Sequence, residues 1–209
     1  MIESTRFGFF ILASWALIVA PGPDMLYVIT RGIAHGPKAG ILSAVGVVCG
    51  ILVHTTTAAL GLALLLQAST LAFMIVKFAG AFYLIYLGIK SLRDKNTFDL
   101  RKHTPTVSSQ KLFWQGVLSN VLNPKVAFFF LAFLPQFVDK TSSSIVLQMV
   151  TLGLTFAFFG LCFLVLVGYF AGAIGAWLTR QPKYTNFLRW LTGGVLIGLG
   201  MHLALTERR

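Results

Sequence analysis

Acidic side chains are scarce in this sequence. Six Asp and Glu stand against seventeen Lys and Arg in 209 residues, and charged residues make up only 11% of the chain. Soluble domains carry about 25%. With 56% of residues hydrophobic and a mean hydropathy of +0.81, no soluble fold of this length could hide the apolar surface. The chain reads as an all-α integral membrane protein, of a length that suits one domain with no separate soluble module.

Cysteine is rarer still. Cys49 and Cys162 both lie in apolar runs, with no CxxC and no metal-ligand spacing. Buried free thiols acting as small hydrophobes are the plain reading, and no metal site is expected. Catalytic constellations are missing too. There is no HExxH, no GxSxG, no Walker loop and no pair of carboxylates inside the apolar runs. These absences argue against an enzyme, a bound cofactor and a self-contained ATP-driven pump. The net charge of +11 would suggest nucleic acid in a soluble protein. Here the basic residues fall mostly between apolar runs, as topology signals do.

What is present is length of apolar sequence. A spanning helix needs about 20 apolar residues. Six runs qualify: Phe7–Ile29, Ala39–Leu66, Leu71–Leu92, Leu112–Val138, a long one from Ile145 to Leu178, and Phe187–Leu205. Arg6 ahead of the first run gives only a minimal positive region, and Pro21 makes a poor cleavage junction, so this run is a retained helix rather than a signal peptide. Short polar connections are expected at residues 30–38, at Gln67-Ala68-Ser69-Thr70 and at Thr179–Asn186. Residues 93–111, rich in Lys, Arg, Ser, Thr and Pro, form the one long solvated loop. Eleven basic residues fall on the side of the first, third and fifth loops: Arg31, Lys38, Lys90, Arg93, Lys95, Arg101, Lys102, Lys111, Arg180, Lys183 and Arg189. Five fall on the other side: Arg6, Lys77, Lys140, Arg208 and Arg209. The positive-inside rule then puts the first group in the cytoplasm and both termini outside.

Six spans divide into two halves, about residues 1–92 and 112–209. Three spans per half make the halves run in opposite directions, the inverted repeat of many transporters. The first span of each half is broken at proline: Pro21-Gly22-Pro23-Asp24 in one, Asn123-Pro124-Lys125 in the other. Proline lacks an N–H and clashes with the preceding turn. Broken backbone at membrane depth is tolerated only beside protein or a water-filled cavity. Two breaks in corresponding spans therefore point to a binding site, although single prolines are also ordinary in membrane helices.

Asp24 is the only carboxylate within an apolar run. A charge at the bilayer centre costs about 2.5–3.5 kcal/mol. Pro23 should open the second half-helix and leave Asp24 in its first turn, where the helix dipole favours the carboxylate. Asp24 reads either as a substrate or proton site, or as a cap near the cytoplasmic interface. For Lys125, Asn123 is a good N-cap and Pro124 a good first helical residue. Lys125 then sits at a helix start, where the dipole disfavours a cation. It lies fourteen residues from Asp139, about 20 Å at helical rise, too far to snorkel. Pairing with Asp24 or with a substrate carboxylate would offset the cost. The two facing each other across a pseudo-twofold axis would suit a zwitterion. Asn120 and Asn123, one turn apart, read as lining the same cavity or bonding across helices, and His54 in the second span reads as a proton relay or a hydrogen-bonded core residue. Gly46-Val-Val-Cys-Gly50, Gly168-Tyr-Phe-Ala-Gly172 and Gly194-Val-Leu-Ile-Gly198 let helices approach closely, within the bundle or across a homodimer.

Three motifs in order resemble the LysE/RhtB-type amino-acid exporters: Pro21-Gly22-Pro23-Asp24, the stretch Lys77-Phe-Ala-Gly-Ala-Phe-Tyr-Leu-Ile-Tyr-Leu-Gly88, and Asn123-Pro124-Lys125 followed by AFFFLAFLPQFV. The resemblance spans about residues 7–205. The Asn-Pro-Lys form is similar to the homoserine-, threonine- and leucine-exporting branch rather than the lysine- and arginine-exporting one. The resemblance implies a secondary transporter of the bacterial inner membrane that exports amino acids, driven by the proton motive force. An intramembrane thiol-redox carrier using Cys49 and Cys162, or a passive channel, is the alternative from another class.

Overall fold

The computed structural model describes residues 4–68, 70–93, 107–139, 144–180 and 182–205. Among them every regular element is helical: α1 Ser4–Val19, α2 Pro23–His35, α3 Pro37–Ala68, α4 Thr70–Arg93, α5 Ser109–Val121, α6 Pro124–Phe128, α7 Ile145–Tyr169, α8 Ala171–Arg180 and α9 Pro182–Leu205. Four of these, α3, α4, α7 and α9, contain stretches long and apolar enough to cross a membrane. The count rises to six if α1 with α2, and α5 with the helix after it, each make one bent span. Most of the 93–111 loop and Ser69 of the expected 67–70 turn lie outside the described residues.

The two bends are local consequences of sequence. Pro23 occupies the first turn of α2 behind an extended Gly22, and the axis turns by 49° from α1 to α2. Pro124 starts α6 behind Asn123, whose side chain accepts from the Lys125 N–H at 3.0 Å. The axis there turns by 47°. A fixed proline φ suits a first helical turn, where its missing N–H is no loss. Beyond α6 the helix widens to a π turn at Phe129–Phe133 and tightens to a 3-10 turn at Leu134–Phe137. Pro135 lies in that stretch and cannot donate to the turn before it.

Two expected connections are corrected. Residues 30–38 are not a loop: α2 runs on to His35 and α3 starts at Pro37, leaving only Gly36 between them. Gly36 has φ 85°, and its N–H bonds the Gly32 carbonyl at 3.0 Å. Thr179–Asn186 is helical on both sides of residue 181, and the long fifth run splits at Phe170 into α7 and α8. Polar residues near helix ends do not break a helix; glycine at positive φ does.

α3 is the central element, packed against α2, α5 and α7, while α4 pairs with α9. Glycine allows the close approaches. A Cβ at Gly40 would strike the backbone of Gly168 on α7, and one at Gly46 would strike Phe113 of α5. Gly88, in the second quoted motif, meets the carbonyl of Gly193 and Ile197 on α9, and Gly80 meets Ala132. Gly194 and Gly198 meet nothing within 4 Å. Phe10, Phe129, Phe133, Phe137 and Phe156 form a buried aromatic core where α1, the π turn and α7 converge.

Candidate functional site

The two helix breaks lie side by side, and each supplies what the other lacks. The last carbonyls of α1 have no intrahelical donors, because Pro21 has no N–H and the helix has ended. Lys125 fills the gap. Its ammonium donates to the carbonyl oxygens of Leu17 at 3.0 Å and Ala20 at 2.7 Å. A cation belongs at the negative end of a helix dipole. This resolves the unfavourable placing of Lys125 at the start of α6: its long stem carries the charge to the end of another helix.

Asp24 mirrors this. It sits in the first turn of α2, beside free N–H groups. Its carboxylate accepts from three donors at the end of α5 and the second break: Ser119 Oγ at 3.1 Å, Asn120 Nδ2 at 2.7 Å and Asn123 Nδ2 at 2.8 Å. Asp24 and Lys125 are each only 9% exposed, so bonded partners are what make two buried charges tolerable. Each charge is bonded to groups of the opposite break, Asp24 to side-chain donors and Lys125 to backbone oxygens.

Both charges border one cavity of about 40 Å³, with Asn120 beside them. The rest of its wall is apolar, including Ile51 of α3 and Phe156, Gly160 and Leu164 of α7. Water fits in such a space. Pockets for small molecules run from about 300 Å³, so this space is too small for an amino acid as it stands. Asn120 Oδ1 is buried without a hydrogen-bond partner, leaving an acceptor near the carboxylate.

Of the residues singled out from sequence, Asp24, Asn120, Asn123 and Lys125 come together. Pro21, Gly22, Pro23 and Pro124 form the breaks that bring them there. His54 stands one layer back. Its Nε2 lies 3.0 Å from the Asn120 carbonyl oxygen, and since a carbonyl only accepts, the ring nitrogen donates. Cys49 is partly buried, Cys162 is exposed, and both are free thiols. Among the described residues no group of His, Cys, Asp and Glu could hold a metal ion.

Sequence reasoning missed Ser119 and the two carbonyls. Ser119 carried a usable signal, since it neighbours Asn120 at the end of a helix. Two further contacts were also unforeseen. About 10 Å along α2 from Asp24, Arg31 donates to Gln115 Oε1 at 3.2 Å and lies 5.3 Å from the Tyr27 ring centre. Tyr27 Oη donates to the Leu112 carbonyl at 2.6 Å. These tie α2 to the start of α5. On the other side of the breaks, Phe10 of α1 packs against Phe129 and Phe137, with centroids 6.4 and 5.4 Å apart. A polar clasp flanks the cavity at one end and an aromatic one at the other.

Opposite charges held by two broken helices inside an apolar bundle, bordering one small cavity, are an arrangement that suits a membrane translocator. The chain belongs to the LysE type translocator family, which it matches over residues 15–207. It is similar to the homoserine/homoserine lactone efflux protein of Salmonella typhimurium, 33% identical over 197 residues that cover 93% of this chain and 94% of that protein. It is also similar to the leucine efflux protein of Salmonella choleraesuis, 30% identical over 195 residues covering 91% of each. The uncharacterized membrane protein YrhP of Bacillus subtilis is 29% identical over 199 residues, covering 91% of this chain and 94% of that protein. No solved structure matches the chain.

Proposed function

We propose that the protein exports neutral amino acids as zwitterions across the bacterial inner membrane, coupled to the proton motive force. The observation that carries this reading is the cavity wall: one carboxylate, Asp24, one ammonium, Lys125, and otherwise Asn120 and apolar side chains. The ammonium of a zwitterion is drawn to Asp24 and its carboxylate to Lys125. A cationic side chain would find no second carboxylate there. Efflux of homoserine, its lactone and leucine, in the names of the relatives, agrees with cargo of this kind. In the same reading Asp24 carries the coupled proton as the cavity opens.

The reading includes six spans in two inverted halves. Its support is the pairing of corresponding spans, α3 with α7 and α4 with α9. Bends of 49° and 47° fall in the first span of each half. Both termini face the periplasm on the distribution of basic residues.

Efflux of labelled amino acids from cells overexpressing the protein tests the reading. Neutral amino acids should leave faster than from control cells, and Asp24→Asn should abolish the difference. A protonophore should stop release; release that persists would indicate a passive channel and overturn the coupling. Cytoplasmic activity of a reporter fused at Arg209 would overturn the orientation.

A further inference from the structure

Gly160 stands apart from the other buried glycines. A Cβ at any other buried glycine whose surroundings are described would come within 3.0 Å of a neighbour: Gly40 against Gly168, Gly46 against Phe113, Gly153 against Thr55. Those glycines permit close helix packing. At Gly160 the nearest atom would be Ile51 Cδ1 at 3.4 Å, an ordinary contact, with nothing else within 4 Å. Packing does not require glycine there, and glycine inside a helix is less stable than alanine. What the missing side chain supplies is space, and that space belongs to the cavity. Phe156, Gly160 and Leu164, four residues apart, lie on one stripe of α7 and border it together with Ile51 of α3. This wall is apolar, while Asp24, Asn120 and Lys125 form the polar one.

Resting on the amino-acid reading above, we propose that Gly160 is a specificity-determining residue. With Ile51 and Phe156 it forms the subsite for the aliphatic side chain of a neutral amino acid whose charged groups lie at Asp24 and Lys125. The room left at position 160 limits how long that side chain can be once the cavity opens.

The test measures initial release of labelled alanine, threonine and leucine from cells carrying the wild type, Gly160→Ala, Gly160→Leu or Gly194→Leu, each normalised to inserted protein. Gly194 is exposed, with nothing within 4 Å of a Cβ, and serves as the control. The alanine-to-leucine ratio should rise about tenfold or more in Gly160→Ala, the effect of one methyl-sized group in an apolar pocket. It should rise further in Gly160→Leu and stay at the wild-type value in Gly194→Leu. If Gly160→Leu fails to insert, Gly160→Ala carries the test, since its Cβ fits. An unchanged ratio in Gly160→Ala, whatever the absolute rates, overturns the subsite alone. A wild type that releases none of these amino acids overturns the amino-acid reading, and the subsite falls with it.

Discussion

Lys125 Nζ lies 2.7 Å from the carbonyl oxygen of Ala20, 105 residues earlier in the chain. The charge at the second helix break thus closes the end of the helix at the first. Asp24, at the start of α2, is held in turn by Asn120 and Asn123 beside the second break. Asn123 caps α6 within its own segment, but the charge at each break is held from across the gap. The two are one structural unit, and a movement that separates them must break bonds to both charges together.

Lys125→Met tests the cap. Methionine keeps the length and apolar stem but leaves the Leu17 and Ala20 carbonyls without their donor. A buried acceptor left unmade costs about 1–3 kcal/mol, and Asp24 loses its compensating charge. Detergent-solubilised Lys125→Met should unfold at a clearly lower temperature than the wild type, and its efflux should be lost. An unchanged melting temperature would mean that the ammonium does not hold the end of α1.

Asp24→Asn removes the opposite charge at nearly constant shape. Its oxygen can keep the two asparagine amides while its new amide donates to the Ser119 hydroxyl, which accepts as well as donates, so the bonds can persist and the charge alone is lost. Efflux should fall by tenfold or more, while insertion and expression stay near wild type. Because both charges border one cavity, the double variant Asp24→Asn/Lys125→Met should be less unstable than the summed single effects. Residues that share an environment couple by about 0.5–3 kcal/mol. Strict additivity in melting curves would contradict the coupling.

The breaks and the four polar residues around them were legible because membrane sequence makes them conspicuous. Proline, glycine and charge stand out in an apolar run, and Asn123-Pro124 spells a helix start in local rules alone. Their partners were not legible. Pro21, four residues after Leu17, marks the Leu17 carbonyl as unpaired, but nothing local says which distant side chain fills the gap. Glycine spacing was only half informative: Gly46 and Gly50 do pack on α5, whereas α9 meets α4 through Gly193 and Gly200, and Gly194 and Gly198 face away. Which face of a helix packs depends on its rotation in the bundle, which spacing does not encode. The polar stretches at 30–38 and 179–186 looked like loops, but polarity reports where water is, not where a helix stops.

Gly36 is what stops α2. Its φ of 85° and ψ of 176° fall in a region open essentially to glycine, where other residues lose about 1–3 kcal/mol. Gly36→Ala should lower thermal stability by that order. Gly61→Ala, in α3 with nothing within 4 Å of its Cβ, should be neutral or slightly stabilising. Equal melting temperatures for the two variants would show that the turn between α2 and α3 tolerates a side chain.

Gly22 is constrained differently. Its φ of −162° is extended backbone that any residue adopts, so alanine brings no backbone strain. A Cβ there would instead lie 3.1 Å from Lys125 Nζ and 3.4 Å from its Cε. The ammonium must shift by a few tenths of an ångström, away from carbonyls it holds at 2.7 and 3.0 Å. Weakening one such bond costs about 1 kcal/mol, so Gly22→Ala should insert normally, melt slightly lower and lose a larger share of its efflux. If position 22 acts through Lys125, then Gly22→Ala should add nothing on a Lys125→Met background, where no ammonium remains to displace. Melting curves of the single and double variants decide this. Additive losses would mean that Gly22 serves the α1–α2 bend itself rather than the cap that crosses it.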